Sequence, residues 1–192
     1  MIAENLLIVT ARPELLDAAL DELKHFDKQL SHVETLAPGI ALCTAPGATT
    51  IPRLAAEQQP IFVRHLAPVQ AILALTNTDQ DISELATAVA SLPTFELIER
   101  GQRFAVQSRL IQNEEHAVKR PYSSGQLNKA LAEAIAEETG AVESIKKPQI
   151  VVSLLCITEK GYTGISLAKE NLSDWPGGAR HFAQTPEQLS RA

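Results

Sequence analysis

The sequence has no apolar run approaching the roughly 20 residues that a transmembrane helix needs, so a helical membrane span is excluded and no membrane partner is expected. A basic n-region followed by an apolar segment is also missing. Met1-Ile2-Ala3-Glu4-Asn5 starts acidic, which argues against a secretory signal and makes the cytoplasm the expected compartment. Cysteine is scarce. Cys43 and Cys156 form no metal-type spacing and both sit in apolar, strand-like runs, where two buried reduced thiols are expected. His25, His32, His65 and His116 are scattered without ligand spacing, so no metal site is expected. No Ser/His/Asp or Cys/His arrangement can be argued, and no catalytic residue is expected. An excess of positive charge is lacking too. The chain carries 17 Lys and Arg against 23 Asp and Glu, a net of −6, which excludes a binder of nucleic acid over its whole surface.

What charge there is lies unevenly. Residues 1–98 hold 5 Lys/Arg and 12 Asp/Glu, a net of −7, while residues 99–192 hold 12 and 11, a net of +1. A polyanion would therefore approach the C-terminal half. The 192 residues suffice for one large domain or two small ones, and the 45% hydrophobic content is that of an ordinary globular protein.

The first segment reads strand, helix, strand, strand, helix, strand. Leu6–Thr10 is an apolar run of strand length. Pro13 suits the first turn of a helix with Leu15, Leu16, Ala19, Leu20 and Leu23 on its apolar face and Asp17, Asp21 and Lys24 toward water. His32–Leu36 and Gly39–Cys43 look like strands around a Pro38-Gly39 turn. Ile51–Gln58 reads as a short helix, and Ile61 through Val69 as a last strand. The order βαββαβ predicts a ferredoxin-like domain over residues 1–75.

After the polar stretch Thr76–Gln80, the pattern is helix, strand, helix, strand, strand, which predicts an α/β unit over residues 76–168. Ile82, Leu85, Ala86 and Val89 share one helical face. Phe104, Val106, Ser108 and Leu110 alternate with Gln107 and Arg109 as in a half-buried strand. Ser123-x-x-Gln126 is a capping box for a helix that Gly140 stops. Gln149–Thr158 is the strongest strand signal, and Glu159-Lys160-Gly161 turns it into Tyr162–Leu167. From residue 169 the periodicity ends, and Asn171 to Gly178 is turn chemistry, so residues 169–192 are expected to form an extended linker.

Gln102–Arg109, the helix Ser124–Thr139, the stretch Val142–Val152 and Gly161–Ser166 together resemble a THUMP domain, an RNA-binding module of RNA-modifying enzymes. Tyr162–Ser166, then Asn171–Phe182 and then Leu189–Ala192 are together similar to the interdomain stretch of RlmM-type, FtsJ-like ribose methyltransferases. In that family a ferredoxin-like domain and a THUMP domain precede a domain that binds S-adenosylmethionine. The resemblance implies that this chain is the RNA-recognition portion of an rRNA 2′-O-ribose methyltransferase, cut before its catalytic domain. Its implied partners are structured large-subunit rRNA, not DNA, and the missing methyltransferase domain. The S-adenosylmethionine would belong to that domain and no cofactor to this chain, since no strand here leads into a Gly-rich turn.

RNA binding needs cations for phosphate and planar groups for bases. The candidates are Arg103, Arg109, Lys119, Arg120, Tyr122, Lys129, Lys146, Lys147 and Arg180. Lys119-Arg120-Pro121-Tyr122 is the foremost cluster, because it is basic, carries an aromatic and precedes a helix N-terminus. Arg180, His181 and Arg191 form a weaker group, and Trp175 is expected to anchor the linker rather than stack on bases. The acidic first half supports a different class of function, a stand-alone ferredoxin-like module for protein contact or small-ligand regulation.

Overall fold

The protein was analysed as a computed structural model, which describes residues 2–93, 98–111 and 119–167, with side chains from Asn5 onward. Among the described residues there are eight strands and four α-helices, a mixed α/β architecture. The chain divides into two compact units, residues 5–67 in one and residues 68–168 with the first four residues in the other.

The first unit follows the expected element order. Strand β1 (Ile2–Ala11) leads through a 3-10 turn at Pro13–Leu15 into α1 (Leu16–Leu23), followed by β2 (Ser31–Ala37), β3 (Ile40–Thr44), α2 (Ile51–Gln58) and β4 (Val63–Ala74). Proline at the head of each helical stretch costs nothing there, because the first N–H groups lack an intrahelical partner anyway. β1 and β2 both pair antiparallel with β3. The spacing of Leu16, Ala19, Leu20 and Leu23 puts all four on one face of α1, which packs on Leu7 and Val9 of β1 and Ala41 and Cys43 of β3. Glu22 closes the unit from its rim, its carboxylate accepting from the Ile61 N–H at 2.7 Å and the Phe62 N–H at 3.0 Å. Strand β2 is exposed over its first five residues and carries two register irregularities, which blunt it as a template for edge pairing.

Composition places the domain boundary near residue 75, whereas the compact units divide between Ala67 and Pro68, inside β4. Pro68 supplies the physical reason. It has no N–H for a ladder, and the β4–β8 pairing runs only from Ala71 to Ala74. The next bond is made by a side chain, with the Ile165 N–H donating to Gln70 Oε1 at 2.7 Å. Gly164 is required here, because a Cβ would lie 2.0 Å from the Pro68 carbonyl oxygen.

The second unit contains the end of β4, then α3 (Gln80–Ala90), β5 (Arg103–Ile111), α4 (Ser124–Thr139), the two-residue β6 (Val142–Glu143), β7 (Ile150–Ile157) and β8 (Lys160–Leu167). The strand order is β4-β8-β7-β5-β6. β5 is parallel to β6 and β7, and β8 runs antiparallel to both β7 and β4. Sequence patterning anticipates every one of these elements except β6 and the part of β4 that pairs with β8.

Alternation along the strands sorts the side chains between two faces. Phe104 and Val106 of β5, with Ile150, Val152, Leu154 and Cys156 of β7, form the core beneath α3 and α4, against Leu85, Val89, Leu127, Leu131 and Ile135. Both thiols are free and fully buried, and burial pushes Cys43 up to about 11 and Cys156 to about 12. Helix α4 is stopped at each end as its sequence foretells. Ser123 Oγ accepts from the Gln126 N–H at 3.3 Å while Gln126 Oε1 accepts from the Ser123 N–H at 2.9 Å. Gly140 then ends the helix at φ +70°.

Candidate nucleic-acid interface

The candidate cations and the tyrosine fall in three places on the second unit. The parallel pair β5 and β7 defines its long direction. Lys119, Arg120 and Tyr122 lie beyond the C-terminal ends of these strands, where the Arg120 guanidinium donates to the Thr158 carbonyl at 2.8 Å and to the Ile111 carbonyl at 3.4 Å. Lys129 is on the second turn of α4 at that same end, one residue past Asn128, whose Oδ1 accepts from the Ser108 N–H at 2.8 Å. Arg103, Lys146 and Lys147 lie at the opposite end, where β5 and β7 begin. Eight residue steps of β5 separate the two ends, about 26 Å at strand rise. Arg109 sits between them, on the sheet face opposite α3 and α4. Arg180, along with Trp175, His181 and Arg191, lies outside the described residues.

The foremost cluster of the sequence is largely consumed by structure. Tyr122 is 4% exposed and its hydroxyl donates to Asp81 Oδ2 at 2.6 Å. A ring so placed cannot stack on a base, which corrects the assignment of Tyr122 as an RNA contact. Arg120 is half-buried and spends its guanidinium on the two backbone carbonyls, joining the end of β5 to the β7–β8 turn. Of the four residues Lys119 to Tyr122, Lys119 alone pairs an exposed position with a charge that makes no ion pair among the described residues.

Sequence reading passes over Asp81, which is the organising residue of this end. It is 1% exposed, and its carboxylate accepts from the Thr76 N–H at 2.8 Å, the Thr76 hydroxyl at 2.7 Å, the Asn77 N–H at 2.8 Å and Tyr122. Burial pushes the Asp81 carboxyl upward, but the donors from Tyr122, Thr76 and Asn77 outweigh it and hold the pKa below its ordinary value. Burial, together with the same contact, raises the Tyr122 phenol. The available signal was an Asp at the start of a helix just after a polar turn, which reads equally well as an ordinary solvent-facing cap.

The other end is open. Arg103, Lys146 and Lys147 are exposed, Arg100 adds a fourth exposed cation, and none of the four is in an ion pair among the described residues. Arg109 is exposed, while desolvation by surrounding protein lowers its pKa. Lys129 is exposed and lies 3.9 Å from Glu133, a contact worth little at a surface.

A group of three or more His, Cys, Asp or Glu able to hold a metal ion is not present among the described residues. A glycine-rich turn of the Rossmann type needs a strand running into glycines at a helix start. Gly125, at the head of α4, follows a loop rather than a strand, and a Cβ there would meet only Ser123 Oγ at 3.8 Å. The groove lined by Ala90, Ser91, Leu92, Pro93, Ile98, Glu138 and Thr139 offers one carboxylate and no cation, chemistry that repels phosphate.

Neither a protein-family model nor a curated protein matches the sequence. Several solved structures share the fold. TrmN from Thermus thermophilus is 23% identical with a TM-score of 0.66, over 97% of this chain and 53% of that one. A predicted N6-adenine-specific DNA methylase from Listeria monocytogenes is 14% identical with a TM-score of 0.58, over 83% of this chain and 39% of that one. A possible methylase from Clostridium difficile is 12% identical with a TM-score of 0.57, over 88% of this chain and 43% of that one. The chain thus spans about half the length, or less, of the structures it resembles.

Proposed function

We propose that this chain is the RNA-binding, substrate-recognition portion of an S-adenosylmethionine-dependent RNA methyltransferase and is not catalytic by itself. The observation that carries the reading is the likeness over 97% of this chain to only 53% of TrmN, and to still smaller shares of two proteins named as methylases. A piece that recurs as less than two thirds of such proteins is a module to which chemistry is added elsewhere. Arg100, Arg103, Lys146 and Lys147, exposed and in no ion pair among the described residues, support contact with a polyanion despite the net charge of −6. In this reading residues 1–75 are a ferredoxin-like domain, residues 76–168 a THUMP domain, and residues 169–192 the linker to a methyltransferase domain, with the whole acting in the cytoplasm.

The narrower reading is 2′-O-methylation of ribose in large-subunit rRNA. It rests on the resemblance of Tyr162–Ser166 and Asn171–Ala192 to the interdomain stretch of RlmM-type, FtsJ-like enzymes, the second of them outside the described part of the structure.

The test is a filter-binding comparison at fixed salt of a structured RNA with a DNA duplex of equal charge, alongside a calorimetric titration with S-adenosylmethionine. The proposal expects RNA to bind more tightly than DNA and S-adenosylmethionine to give no heat. Equal affinity for both nucleic acids, or saturable S-adenosylmethionine binding, would contradict it. A second reading, a stand-alone module that binds protein, is favoured by the net −7 of residues 1–98. It expects neither nucleic acid to bind.

A further inference from the structure

The loop Ser144–Gln149 is anchored at both ends and at Lys147. The Ser144 N–H donates to the Phe104 carbonyl at 2.7 Å, and the Gln149 N–H to the Arg103 carbonyl at 2.7 Å. In return the Arg103 N–H donates to Gln149 Oε1 at 2.9 Å, and Arg103 Nε to the Lys147 carbonyl at 2.8 Å. Pro148 restricts the residue before it to extended backbone. Ordering such a loop is a cost met on folding rather than on binding.

The side chains between these anchors are left facing water. Ile145 is 81% exposed, the most exposed large hydrophobic residue among those described. Lys146 and Lys147 beside it are exposed and in no ion pair among the described residues. Leaving an isoleucine in water forgoes its burial, so its place on a pinned loop asks for an occupant.

Size and charge decide which occupant. A protein interface needs a contiguous apolar core of several hundred Å2. Among the described residues the exposed large hydrophobics of this unit are Val142, Ile145 and Leu167, and Leu167 of β8, though at the same sheet end, is separated from β6 by β7 and β5, so the three do not make such a core. One aliphatic side chain followed by two ammonium groups matches a single nucleobase and the phosphates next to it.

The geometry points to the Ser144–Gln149 loop as the contact for one unstacked nucleotide of RNA, with Ile145 against the base and Lys146 and Lys147 on the neighbouring phosphates. This inference rests on the RNA-binding reading above and adds to it the end of the sheet that is used and the form of RNA that is read. Bulges and single-stranded segments present such a nucleotide, and a continuous duplex does not.

The experiment measures affinity of the full chain for two labelled RNA hairpins, one continuous and one with a single bulged 2-aminopurine. The variants are Ile145→Ser, Lys146→Glu/Lys147→Glu and, at the far end of β5, Lys119→Glu, each checked for an unchanged urea midpoint. The bulged hairpin is expected to bind more tightly, with a change in 2-aminopurine fluorescence. Ile145→Ser should weaken the bulged hairpin about threefold or more and leave the continuous one unchanged, while the double charge reversal weakens both about tenfold. Lys119→Glu should have the smallest effect. Wild-type affinity in Ile145→Ser would overturn the inference and reassign the isoleucine to a protein contact. A loss confined to Lys119→Glu would overturn it in favour of the other end, with RNA binding intact. Failure of the wild-type chain to bind either hairpin would remove the underlying reading as well.

Discussion

The Tyr122 hydroxyl donates a 2.6 Å hydrogen bond to Asp81 Oδ2, across 41 residues of sequence. The bond fastens the segment before α4 to the start of α3 and to the Thr76-Asn77 turn that follows β4. It also removes the aromatic ring from the surface. Tyr122→Phe keeps the packed ring and deletes one of four donors to a buried carboxylate. The expected loss is about 1–3 kcal/mol of stability, read as a lower urea midpoint with an unchanged slope. RNA affinity of the folded variant should stay at the wild-type level, because the hydroxyl touches no ligand. A variant as stable as wild type would show that the network holds nothing together.

The same pair sets a pH dependence at both extremes. The folded pKa of Asp81 is depressed. Its contribution is therefore present above the unfolded carboxylate value of about 3.9 and is lost as pH falls through the lower folded value. Tyr122 is raised. Its contribution is present below the unfolded value of about 10 and is lost as pH rises beyond it. Chemical denaturation at pH 3, 7 and 11 should give a maximum at pH 7, with Tyr122→Phe flattening the alkaline limb. An alkaline limb identical in wild type and Tyr122→Phe would contradict the assignment.

Cys43 and Cys156 are each 0% exposed, and burial pushes them to about 11 and about 12. The thiolate is the reactive form. At pH 8 the native chain should therefore consume no thiol reagent over minutes, and both residues should react at once in denaturant. Fast labelling of either thiol in the native state would mean that its strand opens locally.

Much of the second unit was legible because single residues carry unambiguous local signals. Ser123 and Gln126 announce the head of α4, and Gly140 its end, because a left-handed residue that stops a helix is most cheaply a glycine. The apolar alternation Phe104, Val106, Ser108, Leu110 identifies the buried face of β5. What could not be read depends on contacts distant in sequence. Nothing near Asp81 signals that Tyr122, 41 residues away, will bury against it. Nothing near Arg120 signals that its guanidinium will serve the carbonyls of Ile111 and Thr158 rather than a phosphate. A basic run containing an aromatic therefore looks like a site from sequence and becomes scaffold in the fold. The plainer Lys146-Lys147 pair stays exposed and in no ion pair among the described residues, on a loop tied down through Arg103 and Gln149. β6 escaped notice because its two residues carry no periodicity.

The central claim is that this chain holds RNA through exposed cations, and the salt dependence of RNA affinity tests it most directly. Each phosphate neutralised contributes about −0.7 to −0.9 to the slope of log K against log salt. Contact through three or four of Arg100, Arg103, Lys146 and Lys147 predicts a slope of about −2 to −3.5, and a loss of about 16- to 130-fold between about 50 and 200 mM salt. Lys146→Glu/Lys147→Glu should flatten the slope by about two contacts' worth. Affinity that is indifferent to salt, or a slope unchanged in that variant, would contradict the account.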